Sequence, residues 1–77
     1  MMKRKVIRIH RRDSAFVYAI LESLEGMASY STLDPAADQP DPAHRDLELW
    51  FSEDFADDVQ MVLDGFRKKF PVIELGE

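Results

Sequence analysis

The sequence predicts an α+β sandwich, in which one antiparallel sheet carries two helices on a single face. Hydrophobic patterns typical of strands and helices follow one another in the order strand, helix, strand, strand, helix, strand along 77 residues. The chain contains no cysteine, so neither a disulfide framework nor a thiolate metal site can substitute for a hydrophobic core. No apolar run approaches the roughly 20 residues of a membrane helix, so no membrane span is expected.

The first unit is a strand followed by a helix. Residues 5–11 alternate between apolar and charged side chains, which is typical of a strand. Apolar residues then recur at helical spacing, which predicts a helix over residues 14–25. Asp13 or Ser14 is expected to cap its first turn, and Gly26 supplies a left-handed stop.

The second unit is longer and includes a connecting loop. Residues 27–33 predict a second strand of small polar character, which favours a sheet edge. Three prolines make residues 34–44 a loop, because proline cannot donate to a sheet ladder. A third strand over residues 46–51, a helix capped by Ser52 or Asp54 and ended by Pro71, and a short strand over residues 72–75 complete the chain.

Two strand–helix–strand units with right-handed crossovers, fused through a central hairpin, give a ferredoxin-like βαββαβ arrangement. The whole chain, residues 1–77, is then a single domain. The first and third strands are expected at the centre of the sheet, and the second and fourth at its edges. The side chains predicted to face the helices are Ile7, Ile9, Leu47, Leu49, Phe51, Ile73 and Leu75.

The sheet face away from the helices is predicted to be uncovered. The side chains expected there are Arg4, Val6, Arg8, His10, Tyr30, Thr32, Glu48, Trp50 and Glu74. Large aromatic side chains are costly to leave in water, so we expect a partner to cover them. The candidate interface is therefore formed by Arg8, Tyr30, Glu48 and Trp50.

Three coverings of this face are considered. A second copy of the chain would make a homodimer. Single-stranded nucleic acid would stack on Tyr30 and Trp50 while Arg4 and Arg8 contact phosphates. With no partner at all, Arg8 would lie over Trp50 as a cation–π lid. The first and third strands lack the glycine-and-aromatic signature of RNA-recognition motifs, which disfavours nucleic acid.

Charge is distributed unevenly along the chain. Residues 3–12 contain six of the ten lysines and arginines and none of the 15 acidic residues, although the net charge is −5. This basic strand either pairs with Glu48 and Glu74 across the sheet or forms a stripe that binds polyanions. Pairing is favoured, since a polyanion-binding domain is usually basic throughout.

The turn formed by His10, Arg11 and Arg12 is a candidate anion site. It precedes a helix N-terminus, where backbone N–H groups favour negative charge, so a phosphate or small metabolite is the alternative ligand. Catalysis there is not expected, because acylphosphatases, which use the equivalent turn, need an asparagine and this chain has none. No catalytic residue, cofactor or metal site is predicted; His44 lies in a proline-rich segment without a defined partner.

The residues Glu22-Ser-Leu-Glu25-Gly26-Met-Ala, followed by Thr32-Leu33-Asp34, resemble small bacterial proteins grouped as domain of unknown function 4911. The resemblance implies a ferredoxin-like fold and no assigned activity. The topology is also similar to ACT domains, regulatory modules that pair through their sheets and bind amino acids at the interface. The ACT turn carries a glycine, whereas residues 10–14 contain none, which argues against ACT-type ligand binding.

The sequence therefore predicts a non-enzymatic interaction or regulatory domain that forms a homodimer through its open sheet face or an edge strand. Charged residues interrupt the segment after Lys3-Arg4-Lys5, so no signal peptide is expected and the cytoplasm is the predicted location.

Overall fold

The computed structural model describes residues 1–24, 26–33 and 43–76, and these form four strands and two helices. The elements are β1 (Met2–His10), α1 (Ser14–Glu22), β2 (Ala28–Leu33), β3 (His44–Ser52), α2 (Ala56–Arg67) and β4 (Val72–Gly76). The strands make one antiparallel sheet in the order β2-β3-β1-β4. This order confirms the predicted ferredoxin-like arrangement, with β1 and β3 at the centre.

The central strands carry the core on one side. In the register of β1 against β3, Ile7 lies opposite Leu47, and residues on this side alternate with charged residues on the other. Both helices contribute to the same cluster, so both cover one sheet face, which we call the helix face. The buried cluster consists of Ile7, Ile9, Val17, Leu21, Leu47, Leu49, Phe51, Val59, Leu63 and Phe66. The inward residues predicted for β1 and β3 are confirmed.

Ile73 and Leu75 of β4 were predicted to point inward, and this is wrong. Ile73 lies opposite Arg8, on the side away from the helices, and is 51% exposed. A register shift next to Ile7 leaves Leu75 without a partner in the ladder, and Leu75 is also exposed. A short edge strand has a neighbour on one side only, so its alternation is not forced by burial as it is in a central strand.

Glu74 occupies the helix-face position of β4, where the sequence predicted an outward residue. It lies opposite Ile7, and its carboxylate accepts from Lys5 at 3.0 Å and from Arg67 of α2. Lys5 also donates to Gln60 of α2. An acidic residue is stable there because two cations satisfy it at the water-accessible margin of the helix layer.

The element boundaries differ from the prediction at several ends. β1 begins three residues early, because Met2 to Arg4 continue the ladder with β3. α1 ends at Glu22 and not at residue 25, which lies outside the described residues. The predicted loop of residues 34–44 is described only at Ala43 and His44, and His44 already opens β3.

Gly65 and Gly26 lie in different backbone conformations, so the same substitution by alanine should change the stability in opposite directions at the two positions. Gly65 lies inside α2, and a Cβ added there would meet no heavy atom within 4 Å, so Gly65→Ala is expected to raise the free energy of unfolding by about 0.5–1 kcal/mol. Gly26 has φ +90°, so Gly26→Ala is expected to lower it by about 1–2 kcal/mol. Urea unfolding followed by circular dichroism measures both; equal effects of the same sign would contradict the two backbone assignments.

Candidate interaction surface

The side chains opposite the helices form a surface that we call the open face. Strand register assigns its members, because residues opposite each other in an antiparallel pair point to the same side. On the described strands they are Met2, Arg4, Val6, Arg8 and His10 of β1, His44, Asp46, Glu48, Trp50 and Ser52 of β3, Ser29, Ser31 and Leu33 of β2, and Ile73 of β4.

Trp50 is the large aromatic residue of the open face. It lies on a central strand, between Arg4 on β1 and Ser29 on β2, and it is 38% exposed. Its indole Nε1 donates to Glu48, and the Cζ atom of Arg4 lies 5.9 Å from the ring centre. The lid over Trp50 is therefore Arg4 and not Arg8 as predicted, because register pairs Arg4 with Trp50.

Oppositely charged side chains form two adjacent rows across the middle of the open face. The basic row is Arg4 and Arg8 on β1, and the acidic row is Asp46 and Glu48 on β3. Arg8 binds Asp46 directly opposite, with Nε–Oδ1 and Nη2–Oδ2 distances of 2.8 and 3.1 Å. Arg4 reaches Glu48 diagonally at 2.8 Å. The pKa of Glu48 is lowered, chiefly because its carboxylate accepts a hydrogen bond from Trp50, and also because it accepts one from Arg4.

These ion pairs bear on whether the basic first strand pairs with acids across the sheet or forms a stripe that binds polyanions. Arg4 and Arg8 pair with acids on the open face, and Lys5 pairs with Glu74 on the helix face. Compensation across the sheet is thus what the described residues show. On the described strands, the open face carries two arginines and two carboxylates, so the formal charges of these four side chains cancel, on a chain of net charge −5.

Tyr30 was predicted on the open face, and this is wrong. It lies opposite Leu49, so it points to the helix face, where its ring stacks on Tyr18 of α1 at 5.5 Å. Its hydroxyl donates to Glu22 at 3.1 Å. Burial, together with this acceptor, raises the pKa of Tyr30. The cause of the difference is that a tyrosine at a sheet edge can cover the core with its ring while its hydroxyl reaches polar partners.

Thr32 was also predicted on the open face, and this is wrong as well. It lies opposite Leu47, and its hydroxyl is hydrogen-bonded to that of Tyr18 at 2.7 Å. Arg45 donates to the same Tyr18 hydroxyl at 3.1 Å. The serines of β2, and not its tyrosine and threonine, therefore complete the open face. An aromatic pair for stacking nucleic-acid bases is absent from the described part of this face.

Asp46, Met2, Leu33 and Ile73 belong to the open face but were not among its predicted members. Asp46 could have been found by extending the alternation of Glu48 and Trp50 backwards along the strand. The others follow from register with neighbouring strands, which a single strand pattern does not specify.

The three residues of the candidate anion site lie together at the end of β1, in a short 3-10 turn. His10 Nδ1 accepts from the backbone N–H of Arg12 at 3.2 Å and thereby caps the turn. The backbone N–H of Arg11 donates to Ala43 at 2.9 Å. The backbone N–H groups of Arg11 and Arg12 are thus engaged within the protein.

The side chains around this turn do not add a clear anion cradle. Arg11 and Arg12 are exposed. Asp13, predicted as a cap, makes no capping hydrogen bond, and its Oδ2 is buried with no partner among the described residues. The His10 and His44 rings make an edge contact with centroids 5.5 Å apart. The anion site stays a prediction.

Comparison with protein-family models, curated proteins and solved structures finds no match to this chain. Within the ranges that the structure describes, no three metal-ligating side chains lie together. Neither α1 nor α2 has the combination of length and apolar composition that crossing a membrane requires.

The two paired glutamates predict how stability depends on pH. Ion pairs and hydrogen bonds lower the pKa of Glu48 and of Glu74 in the folded protein. Their contribution is therefore present above the pKa of an unfolded glutamate, about 4.3, and is lost as the pH falls below it. We expect the stability of the Glu48→Gln and Glu74→Gln variants to fall less steeply at acid pH than that of the native chain. The urea midpoint, measured at successive pH values, gives this dependence. An unchanged pH dependence in both variants would contradict the assignment.

Proposed function

We propose that this protein is a non-enzymatic interaction domain that associates with a second copy of itself through the open face. The observation that carries the proposal is Trp50, more than a third exposed on a central strand of a sheet that the helices cover on one side only. A central, half-exposed tryptophan is the residue type that most often contributes the largest share of binding energy when an interface forms.

Electrostatics support a second copy as the partner. Two chains of net charge −5 repel each other over most of their surfaces. On the described strands of the open face this repulsion is reduced, because two arginines are paired with two carboxylates there. Nucleic acid is disfavoured by the same balance, since the arginines that would contact phosphates already bind carboxylates.

Apolar groups around the charged rows support the same partner. Met2 is 59% exposed and Ile73 is 51% exposed, and both lie on the open face with Trp50. A surface that combines exposed apolar side chains with paired charges is suited to packing against another sheet at about 10 Å. The proposal includes a cytoplasmic location, since a domain without cysteine gains no stability from an oxidising compartment.

Sedimentation velocity of the native chain and of a Trp50→Glu variant tests the proposal. The native chain is expected to form a dimer at tens of micromolar, and the variant is expected to dissociate about thirtyfold more readily, which corresponds to roughly 2 kcal/mol. Met61→Glu is the matched control, because Met61 is 73% exposed on α2, away from the sheet. It should leave the dimer intact.

Folding and interface effects are separated by two further measurements. Circular dichroism must show a folded Trp50→Glu variant, and Ile73→Glu, at an exposed edge position of the open face, should also weaken the dimer. Because the chain has one tryptophan, dilution should shift its emission to longer wavelength as the indole enters water. A native chain that remains monomeric at tens of micromolar would overturn the proposal.

A further inference from the structure

The arrangement of the charged rows constrains how two open faces can meet. The basic row lies on β1 and the acidic row on β3, which are neighbouring strands at the centre of the sheet. A closed homodimer has a two-fold axis. When the strands of two facing sheets are nearly aligned, this axis lies between the sheets and runs either along the strands or across them. The two directions bring different rows together.

With the axis along the strands, between β1 and β3, each β1 lies on the partner's β3. Every residue then meets the partner's equivalent of its own cross-strand neighbour. Arg8 therefore lies on the partner's Asp46, since register pairs these two positions. With the axis across the strands, β1 lies on the partner's β1, and arginine meets arginine.

On the basis of the proposed function, we propose that two copies pair about an axis along the strands, so that Arg8 of each chain lies on the partner's Asp46. The partner must therefore present a carboxylate opposite Arg8 and a guanidinium opposite Asp46. A second copy of the chain presents both by symmetry. The chemistry of the contact is the pairing of guanidinium with carboxylate, twice over in each dimer.

The existing ion pairs are compatible with this contact. Arg8 and Asp46 bind each other within the chain at 2.8 Å, and a second such pair turned around the axis gives a square of alternating charges. Each arginine then has two carboxylate neighbours, which offsets the desolvation that burial of an ion pair costs. Packed sheets cross at about 30°, so the correspondence holds best in the middle of the strands.

Complementary charge reversals test the axis. Arg8→Asp puts acid on acid twice in the proposed homodimer, and Asp46→Arg puts base on base twice. Each variant alone is expected to raise the homodimer dissociation constant about tenfold or more. Mixed in equal amounts, the two variants should form a heterodimer of near-native affinity, because each chain then meets the opposite charge at both contacts.

Two controls accompany the mixture. Thermal unfolding checks that each variant folds, which we expect because this pair is partly exposed, with 39% and 28% of the two side chains accessible. The combined Arg8→Asp/Asp46→Arg chain restores opposite charges within and between chains and should form a homodimer again.

The outcomes distinguish this inference from the function on which it rests. A native chain that is monomeric at tens of micromolar removes both. A native dimer whose Arg8→Asp variant associates as well or better overturns the axis alone, because an axis across the strands would relieve repulsion between arginines. A mixture that stays monomeric while the native chain forms dimers also overturns the axis and leaves self-association standing.

Discussion

The register between β1 and β3 is the constraint on which the rest of this structure depends. Ile7 and Leu47 lie opposite each other on the side that the helices cover, so the residues next to each of them along its own strand must lie on the other side. A shift of one residue would bury Arg8 and Glu48 and expose the isoleucines, at a cost that a domain of this size could not meet. Burial on the helix face therefore determines the composition of the open face.

The same register organises the charge of the protein. A first strand rich in arginine and lysine is stable beside its neighbours because Arg4, Lys5 and Arg8 each bind a carboxylate on an adjacent strand. The pairs differ in their consequences. Those of the open face leave a neutral surface around Trp50, whereas Glu74 links Lys5 with Arg67 and joins the sheet edge to α2. Association through the neutral surface would add to a small core, because anything that binds only the folded state stabilises it.

In the turn after β1, hydrogen bonds within the protein occupy backbone donors that could otherwise bind an anion. Its sequence, with two arginines before a helix, suits an anion, but the backbone N–H groups of these arginines already donate to His10 and Ala43. The imidazole has the role that Ser52 has before α2, where its hydroxyl accepts from the backbone N–H of Asp54. The role of His10 in this structure is therefore to cap the turn.

The amino-acid pattern was sufficient to predict the order of elements, the two central strands with their inward residues, and the outward position of Trp50. Central strands are packed on both edges and buried on one side, so their alternation is strong enough to specify their orientation. Only the tertiary structure decided the orientation of Tyr30 and Ile73, because edge strands mix small, polar and apolar residues on both sides. The lid over Trp50 also needed the structure, since Arg4 and Arg8 share one face of β1 and register alone selects between them.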